Sequence, residues 1–347
     1  MNKINILSSE IFNRIAAGEV VERPASIVKE LVENSIDAGA NVISIEIAQG
    51  GIKKIKVSDN GCGIYSDDIK SAFLPHATSK IENLCDLESI KTLGFRGEAL
   101  SSIASIAQVE MISKTKDSCV GTKIEVSGGE ISDLTEVAMT YGTTITVNNI
   151  FFNVPARAKF IKKPKSEESE ITNYVTRLIL ANPEIQFKYI VDNETKIDYQ
   201  SGSGLVHAIE ILYGREIAKN LIPVQFENND GIKLFGYVGR PEIAKSNRTY
   251  QTLIINGRYI INYMISAAIA NAFSDYLMKG KFPFYVLNLE IPFEQVDINV
   301  HPSKLEAKFE NSNAIFNLFS SVIFKALEKI NYTKEIENFV NEVNHEN

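Results

Sequence analysis

Hydrophobic residues recur at helical spacing near the start of the chain. They lie three and four residues apart on one face of a predicted helix, at Ile27, Val28, Leu31, Val32 and Ile36. Pro24 and Ser26 stand where that helix can begin, and Ala38-Gly39 stands where it can end. Apolar and polar residues then alternate on both sides of Gly50-Gly51, and this pattern predicts a β-hairpin.

Helical and strand patterns then succeed one another to about residue 200. A second helix is predicted from Ser66, a third after Gly97 and a fourth at about 167–181. Alternating residues predict strands in VEMISKT, GTKIEVSG and GTTITVNNIF, and a second hairpin in QFKYIVDNETKIDYQ.

A short flexible segment, SGSG at 201–204, is the best linker candidate, because small residues there separate two regions of mixed pattern. Beyond it we predict helices in HAIEILYG, MISAAIANAFSDYL and NAIFNLFSSVIFKALEKI, and strands in IKLFGYVGRP, YQTLIINGRYI, FYVLNLEIP and QVDINVHP. The chain is therefore expected to form one domain at 1–200 and a second at 205–335, with a polar, frayed tail at 336–347.

Composition changes the predicted domain organisation little, but it restricts which binding partners the chain can have. The 347 residues are 44% hydrophobic, as in an ordinary globular protein, and 36 basic against 43 acidic residues give a net charge of −7. Any DNA binding would therefore need a local basic patch. Three cysteines without CxxC spacing fit a reducing compartment, and four scattered histidines form no metal motif. With no long apolar run and no secretion signal, we expect neither a membrane partner nor export.

Residues suited to nucleotide chemistry occur in four separated segments, none of which is a P-loop or a protein-kinase motif. In the first segment, Glu30 and Asn34 lie four residues apart and share a helix face. A carboxylate that deprotonates water and an amide oxygen that ligates Mg²⁺ suit phosphoanhydride hydrolysis. Taken alone, the pair also fits an ordinary solvated helix face.

The second segment is Asp59-Asn-Gly-Cys-Gly63, between a predicted strand and a predicted helix. A buried, ionised Asp59 only accepts hydrogen bonds, so it suits a donor such as the exocyclic amine of adenine. Gly61 and Gly63 would let the backbone approach the base. The alternative is an ordinary hairpin turn.

The third segment runs from Gly94 through Phe95, Arg96 and Gly97 to Glu98, Ala99 and Leu100. Its glycines lead into a helix N-terminus, where free amides suit a triphosphate. Upstream, the HATSK segment adds the hydroxyls of Thr78 and Ser79 and the cation of Lys80. A structural turn and an ordinary polar loop are the alternatives.

The fourth segment, Asp297-Ile-Asn-Val-His301-Pro-Ser-Lys304, lies in the predicted second domain. Pro302 ends a strand there, and Lys304 follows in a loop from which its ammonium could reach a γ-phosphate. A lone loop lysine is otherwise a surface residue.

Together and in this order, the segments are specific enough to point to one protein family. The chain resembles, from residue 10 to about 310, the N-terminal ATPase region of the MutL family of DNA mismatch repair proteins, through IAAGEVVERPASIVKELVENSIDAGA, DNGCGI, HATSK, LGFRGEAL, GTTI, VNNIFFNVPARAKF and VDINVHPSK. The wider ATPase group, which includes gyrase, a heat-shock chaperone and histidine kinases, would share only the ExxxN, DxGxG and GxxG segments. IAAGEVVERP and NVHPSK narrow the resemblance to MutL.

This resemblance implies an α/β fold: a two-layer sandwich ATPase domain, then a smaller α/β transducer domain like one in ribosomal proteins and gyrase. It implies that Glu30 is the general base, that Asn34 ligates Mg²⁺ and that Lys304 contacts the γ-phosphate. Residues around adenine would be Asp59, Gly61, Gly63, Thr78 and Thr143, and Gly94 through Leu100 would form a lid over the phosphates.

The resemblance also implies a role in the bacterial cytoplasm or nucleoid. Slow Mg²⁺-dependent ATP hydrolysis would order the lid and drive homodimerisation, which would control contacts with DNA, mismatch-recognition proteins and downstream repair proteins. Weak, salt-sensitive DNA contact is expected from a basic stretch that could equally be a solvated loop: Arg157, Lys159, Lys162, Lys163 and Lys165. After Asn256-Gly257-Arg258, where relatives commonly carry more basic residues, the chain reads YIINYM, which predicts a weaker DNA groove in the second domain.

Two other functions stay open. A topoisomerase-type ATPase half would share the nucleotide segments, but the chain lacks a strand-cleaving tyrosine region. A non-catalytic DNA or protein scaffold on the same fold would not need Glu30 and Lys304. The DQHA-type motif of MutL endonucleases is absent from the sequence, so we expect no nuclease activity from this chain.

Overall fold

The structure is a computed structural model that describes residues 21–80, 93–94, 97–297 and 307–345. The chain forms two units, Met1–Gly204 and Leu205–Asn347. The division falls at the last residue of the SGSG segment, and each unit has its own sheet and helices.

The first unit, in its described residues, contains four helices and nine strands. The helices are α1 (Pro24–Asp37), α2 (Ala99–Ile106), α3 (Pro155–Ala158) and α4 (Pro164–Ala181). The strands are β1 (Val42–Ala48), β2 (Lys54–Asp59), β3 (Gln108–Lys114), β4 (Gly121–Ser127), β5 (Glu130–Ile131), β6 (Thr135–Val137), β7 (Gly142–Asn148), β8 (Gln186–Val191) and β9 (Glu194–Tyr199).

These strands form one sheet in the order β5-β4-β3-β7-β2-β1-β8-β9, with β6 also paired to β4. The pairing of β1 with β8 is parallel and the other pairs are antiparallel. Asp59 lies opposite Thr143, which in turn lies opposite Ser113. This register places three polar residues in one row at the ends of three neighbouring strands.

The core of the first unit lies between the sheet and α1. Alternate residues of β1, namely Ile43, Ile45 and Ile47, are fully buried, as strand periodicity requires. The apolar stripe of α1 packs against β1, β2 and α4, and each buried side chain of this kind stabilises the fold by about 1.5–3 kcal/mol. The helix predicted near the start of the chain, which is α1, both predicted hairpins and the mixed α/β fold are confirmed.

The helix predicted from Ser66 is wrong. The structure has a run of turns there and then a single 3₁₀ turn at Ser71–Phe73. Ile69 and Phe73 are buried, but Pro75 follows at once and the segment is too short to sustain helical hydrogen bonding. The fourth helix begins earlier than predicted, because Pro164 suits the first helical turn.

The second unit contains a five-stranded sheet in the order β10-β11-β14-β12-β13, in which β12 and β14 are parallel. Its strands are β10 (Leu221–Glu227), β11 (Lys233–Gly239), β12 (Gln251–Ile255), β13 (Arg258–Ile260) and β14 (Tyr285–Glu290), with a separate pair β15 (Val296–Asp297) and β16 (Lys308–Phe309). Its helices are α5 (Gly204–Tyr213), α6 (Arg215–Lys219), α7 (Tyr263–Ala272) and α8 (Ser312–His345). The sheet packs with α7 and α8 around one apolar core.

Two features of the second unit differ from the sequence prediction. β10 was not predicted, because Pro223 interrupts its alternation. Helix α8 continues to His345, where the sequence favours a frayed tail from 336, and the apolar residues of IENFVNEV recur there at helical spacing. Across the residues described, no helix is both long and apolar enough to cross a membrane.

Candidate nucleotide-binding site

One face of α1 carries the polar residues of the candidate site. Glu30 and Asn34 are partly exposed, and Asp37 follows three residues later with a side chain only 7% exposed. Spacings of four and three residues place all three on the same side of the helix. Asp37 is not among the residues predicted from the sequence, although it lies three residues after Asn34 on the same helix face.

The Asp37 carboxylate is the centre of a hydrogen-bond cluster. Lys80 Nζ lies 2.6 Å from Asp37 Oδ2 and donates to Asn34 Oδ1 over 2.9 Å. The backbone amides of Leu93 and Gly94 donate to the two Asp37 oxygens over 2.9 and 3.0 Å. The cluster thus brings the predicted residues Asn34, Lys80 and Gly94 together around an unpredicted carboxylate.

Asn34 fits the predicted Mg²⁺ ligand by its donor chemistry. Mg²⁺ at nucleotide sites takes one or two oxygen ligands from the protein and completes its shell with phosphate oxygens and water. Asn34 offers one amide oxygen, which an ammonium already contacts, so this position suits a cation.

Asp59, at the end of β2, accepts three hydrogen bonds. Ser35 Oγ donates to its Oδ2 over 2.7 Å, and the amides of Gly61 and Thr143 donate to its Oδ1 over 2.9 and 3.2 Å. All three partners are donors, as an ionised carboxylate requires. Ser35 was not predicted, because its position within the apolar stripe of α1 hides its polar contact.

The segment after Asp59 is not a hairpin turn, because β2 pairs with β1 and β7 and no strand follows it directly. Gly63 has a φ of +74°, and a Cβ there would collide with the backbone of Lys114. Thr143 is 8% exposed, and its hydroxyl lies 2.9 Å from that of Ser113, which accepts from the Ile64 amide over 2.8 Å. The glycine loop is therefore packed tightly onto β3 and β7.

The HATSK segment contacts the start of α2. His76 Nδ1 lies 3.1 Å from Glu98 Oε1. Gly97 has a φ of +64°, and a Cβ there would collide with the backbone of Ala77. Thr78 and Ser79 are exposed, whereas Ala99 and Leu100 are partly buried in the first turn of α2. Phe95, Arg96 and Lys304 lie outside the described residues.

The basic stretch predicted to contact DNA spans α3 and the start of α4. Lys159, Lys162 and Lys163 are exposed, whereas Lys165 is paired with Glu168 at 3.0 Å. Arg157 is partly buried and its Nη1 has no hydrogen-bond partner. Phe160 stands within this stretch with 88% of its surface exposed, a feature that apolar patterning alone does not predict.

An ion pair fixes the start of α1. Arg23 Nε and Nη2 donate to the two oxygens of Glu167 over 3.2 Å each, and Glu167 Oε1 also accepts from the Lys162 amide over 3.1 Å. Burial opposes the charged guanidinium, but the bonds and charge of Glu167 outweigh it and raise the pKa of Arg23. The pair joins the helix that carries the site to α4.

Two protein families match separate parts of the chain. Residues 22–145 match the family described as histidine kinase-, DNA gyrase B-, and HSP90-like ATPase, and residues 209–328 match the C-terminal domain of DNA mismatch repair protein. The first match covers the α1 face, the Asp59 loop and Thr143.

Curated relatives are similar over most of this chain. The DNA mismatch repair protein MutL of Clostridium perfringens is 45% identical over 335 residues, which are 96% of this chain and 49% of that protein. MutL of Clostridium acetobutylicum is 47% identical over 94% of this chain and 52% of its own length. The chain therefore spans about half the length of the curated relatives it matches.

Solved structures share the fold. The N-terminal domain of a DNA repair protein matches with a TM-score of 0.79 and 27% identity, covering 91% of this chain and 98% of the other. The Aquifex aeolicus MutL ATPase domain complexed with ADP matches with a TM-score of 0.61 and 28% identity, covering 79% of this chain and 93% of the other.

Proposed function

This chain belongs to the MutL family of DNA mismatch repair proteins, and we propose that it binds ATP with Mg²⁺, hydrolyses it slowly and uses it as a conformational switch. The observation that carries the proposal is the contact of Lys80 and Gly94 with Asn34 and Asp37, which share one face of α1 with Glu30. The relatives named above are mismatch repair proteins, which favours this function over a topoisomerase-type ATPase half or a non-catalytic scaffold.

Each polar residue of the site has a role in this proposal. Asp59, oriented by Ser35 and Thr143, accepts a hydrogen bond from the adenine amine, and the loop that contains Gly61 and Gly63 lies beside the base. Glu30 takes a proton from the attacking water. Asn34 holds Mg²⁺, which when bound neutralises phosphate charge, and Lys304 contacts the γ-phosphate.

The contacts on both sides of residues 95–96 support the lid in this proposal. Asp37 holds the amides of Leu93 and Gly94, and Glu98 and Gly97 contact the HATSK segment. Arrival of a triphosphate offers these amides and Lys80 a second anionic partner. Rearrangement of the lid around ATP would then drive homodimerisation, and the dimer would control contacts with mismatch-recognition and downstream repair proteins.

DNA contact is proposed through the stretch around α3, in the bacterial cytoplasm or nucleoid. Three exposed lysines there can neutralise phosphates, and the exposed Phe160 offers a ring for stacking. Because the whole chain carries a net charge of −7, this contact would be weak and salt-sensitive.

Replacing the general base tests the enzymatic part of the proposal. Glu30→Ala should lower the rate of phosphate release from ATP by about 10²–10⁴-fold and leave ATP binding by calorimetry unchanged, because the base acts only on the attacking water. Glu184→Ala removes an exposed carboxylate of the same unit and serves as the matched control. Turnover that is unchanged in Glu30→Ala would contradict the assignment.

A further inference from the structure

The ammonium of Lys80 is enclosed, although the residue lies in a loop. It is 2.9 Å from Asn34 Oδ1 and 2.6 Å from Asp37 Oδ2, on the face of α1 that carries Glu30. Its side chain is only 21% exposed, whereas that of Lys165, in a surface ion pair of the same unit, is 82% exposed. One enclosed cation therefore contacts an amide oxygen and a buried carboxylate at once.

The backbone of Gly94 lies directly against this ammonium. The Gly94 amide donates to Asp37 Oδ2 over 3.0 Å, and a Cβ at this residue would lie 3.2 Å from Lys80 Nζ and 3.4 Å from Asn34 Oδ1. A separation of 3.2 Å is tighter than ordinary van der Waals contact, so a side chain at residue 94 would press on the ammonium. The glycine therefore lets the segment before the proposed lid close over the Lys80 cation.

The position of the ammonium coincides with the proposed metal position. Mg²⁺ prefers oxygen ligands, and Asn34 Oδ1 is the oxygen proposed to hold it. A divalent ion bonded to that oxygen and an ammonium hydrogen-bonded to the same oxygen would lie close together, where like charges repel strongly. Lys80 in this arrangement and the metal therefore compete for Asn34.

Lys80 is also suited to contact an incoming triphosphate. An ammonium has three N–H donors, and among the described residues the oxygens of Asn34 and Asp37 take two of the donors of Lys80. Lysine carries its charge on a flexible side chain and commonly binds phosphate groups. A phosphate oxygen can therefore replace the Asn34 oxygen as an acceptor of this ammonium.

We propose that Lys80 makes metal binding depend on nucleotide. Its ammonium holds the metal position beside Asn34 and excludes free divalent cations, so that the metal binds only together with ATP, whose phosphates offer the ammonium a new acceptor. Asp37 positions Lys80, because its carboxylate makes the shorter of the two contacts. This inference rests on the proposed function, since it concerns the metal position of the same site.

Removing the ammonium is the first test, by electron paramagnetic resonance of free Mn²⁺ during titrations of the full chain without nucleotide. Mn²⁺ prefers the same oxygen ligands as Mg²⁺. Lys80→Met should bind one Mn²⁺ about 10-fold or more tightly than the natural chain, because the Asp37 carboxylate then attracts the ion without a competing ammonium. Lys54→Met removes another lysine of this unit that is paired with a carboxylate, at 2.8 Å, and should keep the affinity of the natural chain.

Two further variants locate the effect and separate it from a loss of folding. Lys80→Arg keeps a positive charge and should exclude Mn²⁺ as the natural chain does. Asn34→Ala combined with Lys80→Met should weaken the new Mn²⁺ binding by about 10-fold or more, because a ligand of the ion is lost. Circular dichroism checks the fold of each variant, and a purely structural role of Lys80 would change stability without creating a metal site.

The dependence on nucleotide is the second test, by equilibrium dialysis of the natural chain against Mn²⁺ and a non-hydrolysable ATP analogue. The chain should retain about one Mn²⁺ for each bound analogue and should bind the ion weakly without the analogue. Tight Mn²⁺ binding by the natural chain in the absence of the analogue would contradict the proposal.

Equal Mn²⁺ affinity of the natural chain and Lys80→Met without nucleotide would overturn the proposal. Tight binding that persists when Asn34→Ala is added would overturn it too, because the new site would then lie elsewhere. Failure of the proposed function has a different result: calorimetry would show no binding of the ATP analogue by the natural chain, whereas the titrations without nucleotide would still compare Lys80→Met with its controls.

Discussion

Hydrogen bonds from the protein itself orient the carboxylate of Asp59. Ser35, Gly61 and Thr143 donate to it from α1, the glycine loop and β7, so three separate elements fix its position. Each oxygen of a carboxylate can accept more than one hydrogen bond, so this side chain can also accept one from an amine.

Asp59→Asn should therefore abolish ATP binding with little change in the fold. An amide replaces one accepting oxygen by an NH₂ group, which would face the adenine amine or one of the three donors. Isothermal calorimetry measures the binding, and circular dichroism checks the fold. Asp198→Asn, at an exposed position of β9, is the matched control. Retained ATP binding in Asp59→Asn would refute the adenine role.

Asp37 acts on backbone amides, and its substitution has a different signature. Asp37→Asn should accelerate hydrogen exchange at the amides of Leu93 and Gly94 by about 10-fold or more, because bonds to a charged acceptor contribute about 1.5–3 kcal/mol each. Asp68→Asn, an exposed acid of the same unit, should leave these two amides unchanged. Equal exchange in both variants would show that Asp37 does not hold this backbone.

Residue types in the sequence pointed to candidate residues of the site but not to all of the contacts between them. Glu30 and Asn34 stand out because they share a helix face, and Asp59 stands out because glycines follow it directly. Asp37 and Ser35 do not, since their partners Lys80 and Asp59 are 43 and 24 residues away and only the fold brings them together. Contacts between distant segments leave no periodic signal in a single sequence.

At the scale of elements, two sets of contacts fix the position of α1. The buried stripe anchors it to the sheet, and the ion pair of Arg23 with Glu167 joins its start to α4. Periodicity predicted this helix and the hairpins, because their patterns run uninterrupted for six residues or more. It failed from Ser66 and at β10, where Pro75 and Pro223 leave segments whose structure depends on packing.

Glu167→Ala should lower the free energy of unfolding of the first unit by about 2–4 kcal/mol. Glu167 is almost fully buried, and its loss leaves the Lys162 amide without its acceptor and Arg23 with only the more exposed Glu170, which lies 3.5 Å from its Nη1. Urea unfolding measures the change. Glu168→Ala, which removes a neighbouring carboxylate paired with an exposed lysine, should cost only about 0.5 kcal/mol. Equal losses in the two variants would contradict a structural role for the Arg23–Glu167 pair.

At the scale of the whole molecule, the two units carry different parts of the proposed activity. The first holds the described nucleotide residues and the basic stretch around α3, whereas the second holds, in sequence, Lys304. Composition predicts that any DNA binding must come from a local patch, because the chain as a whole carries a net charge of −7.

The central claim is that ATP switches the association of two copies of this chain. Light scattering during gel filtration, with and without Mg²⁺ and a non-hydrolysable ATP analogue, tests it most directly, with Asp59→Asn as the non-binding control. We predict a mass near 38.6 kDa without nucleotide and near twice that value with the analogue, for the natural chain only. A monomer under both conditions, at concentrations where calorimetry shows the analogue to be bound, would contradict the switch.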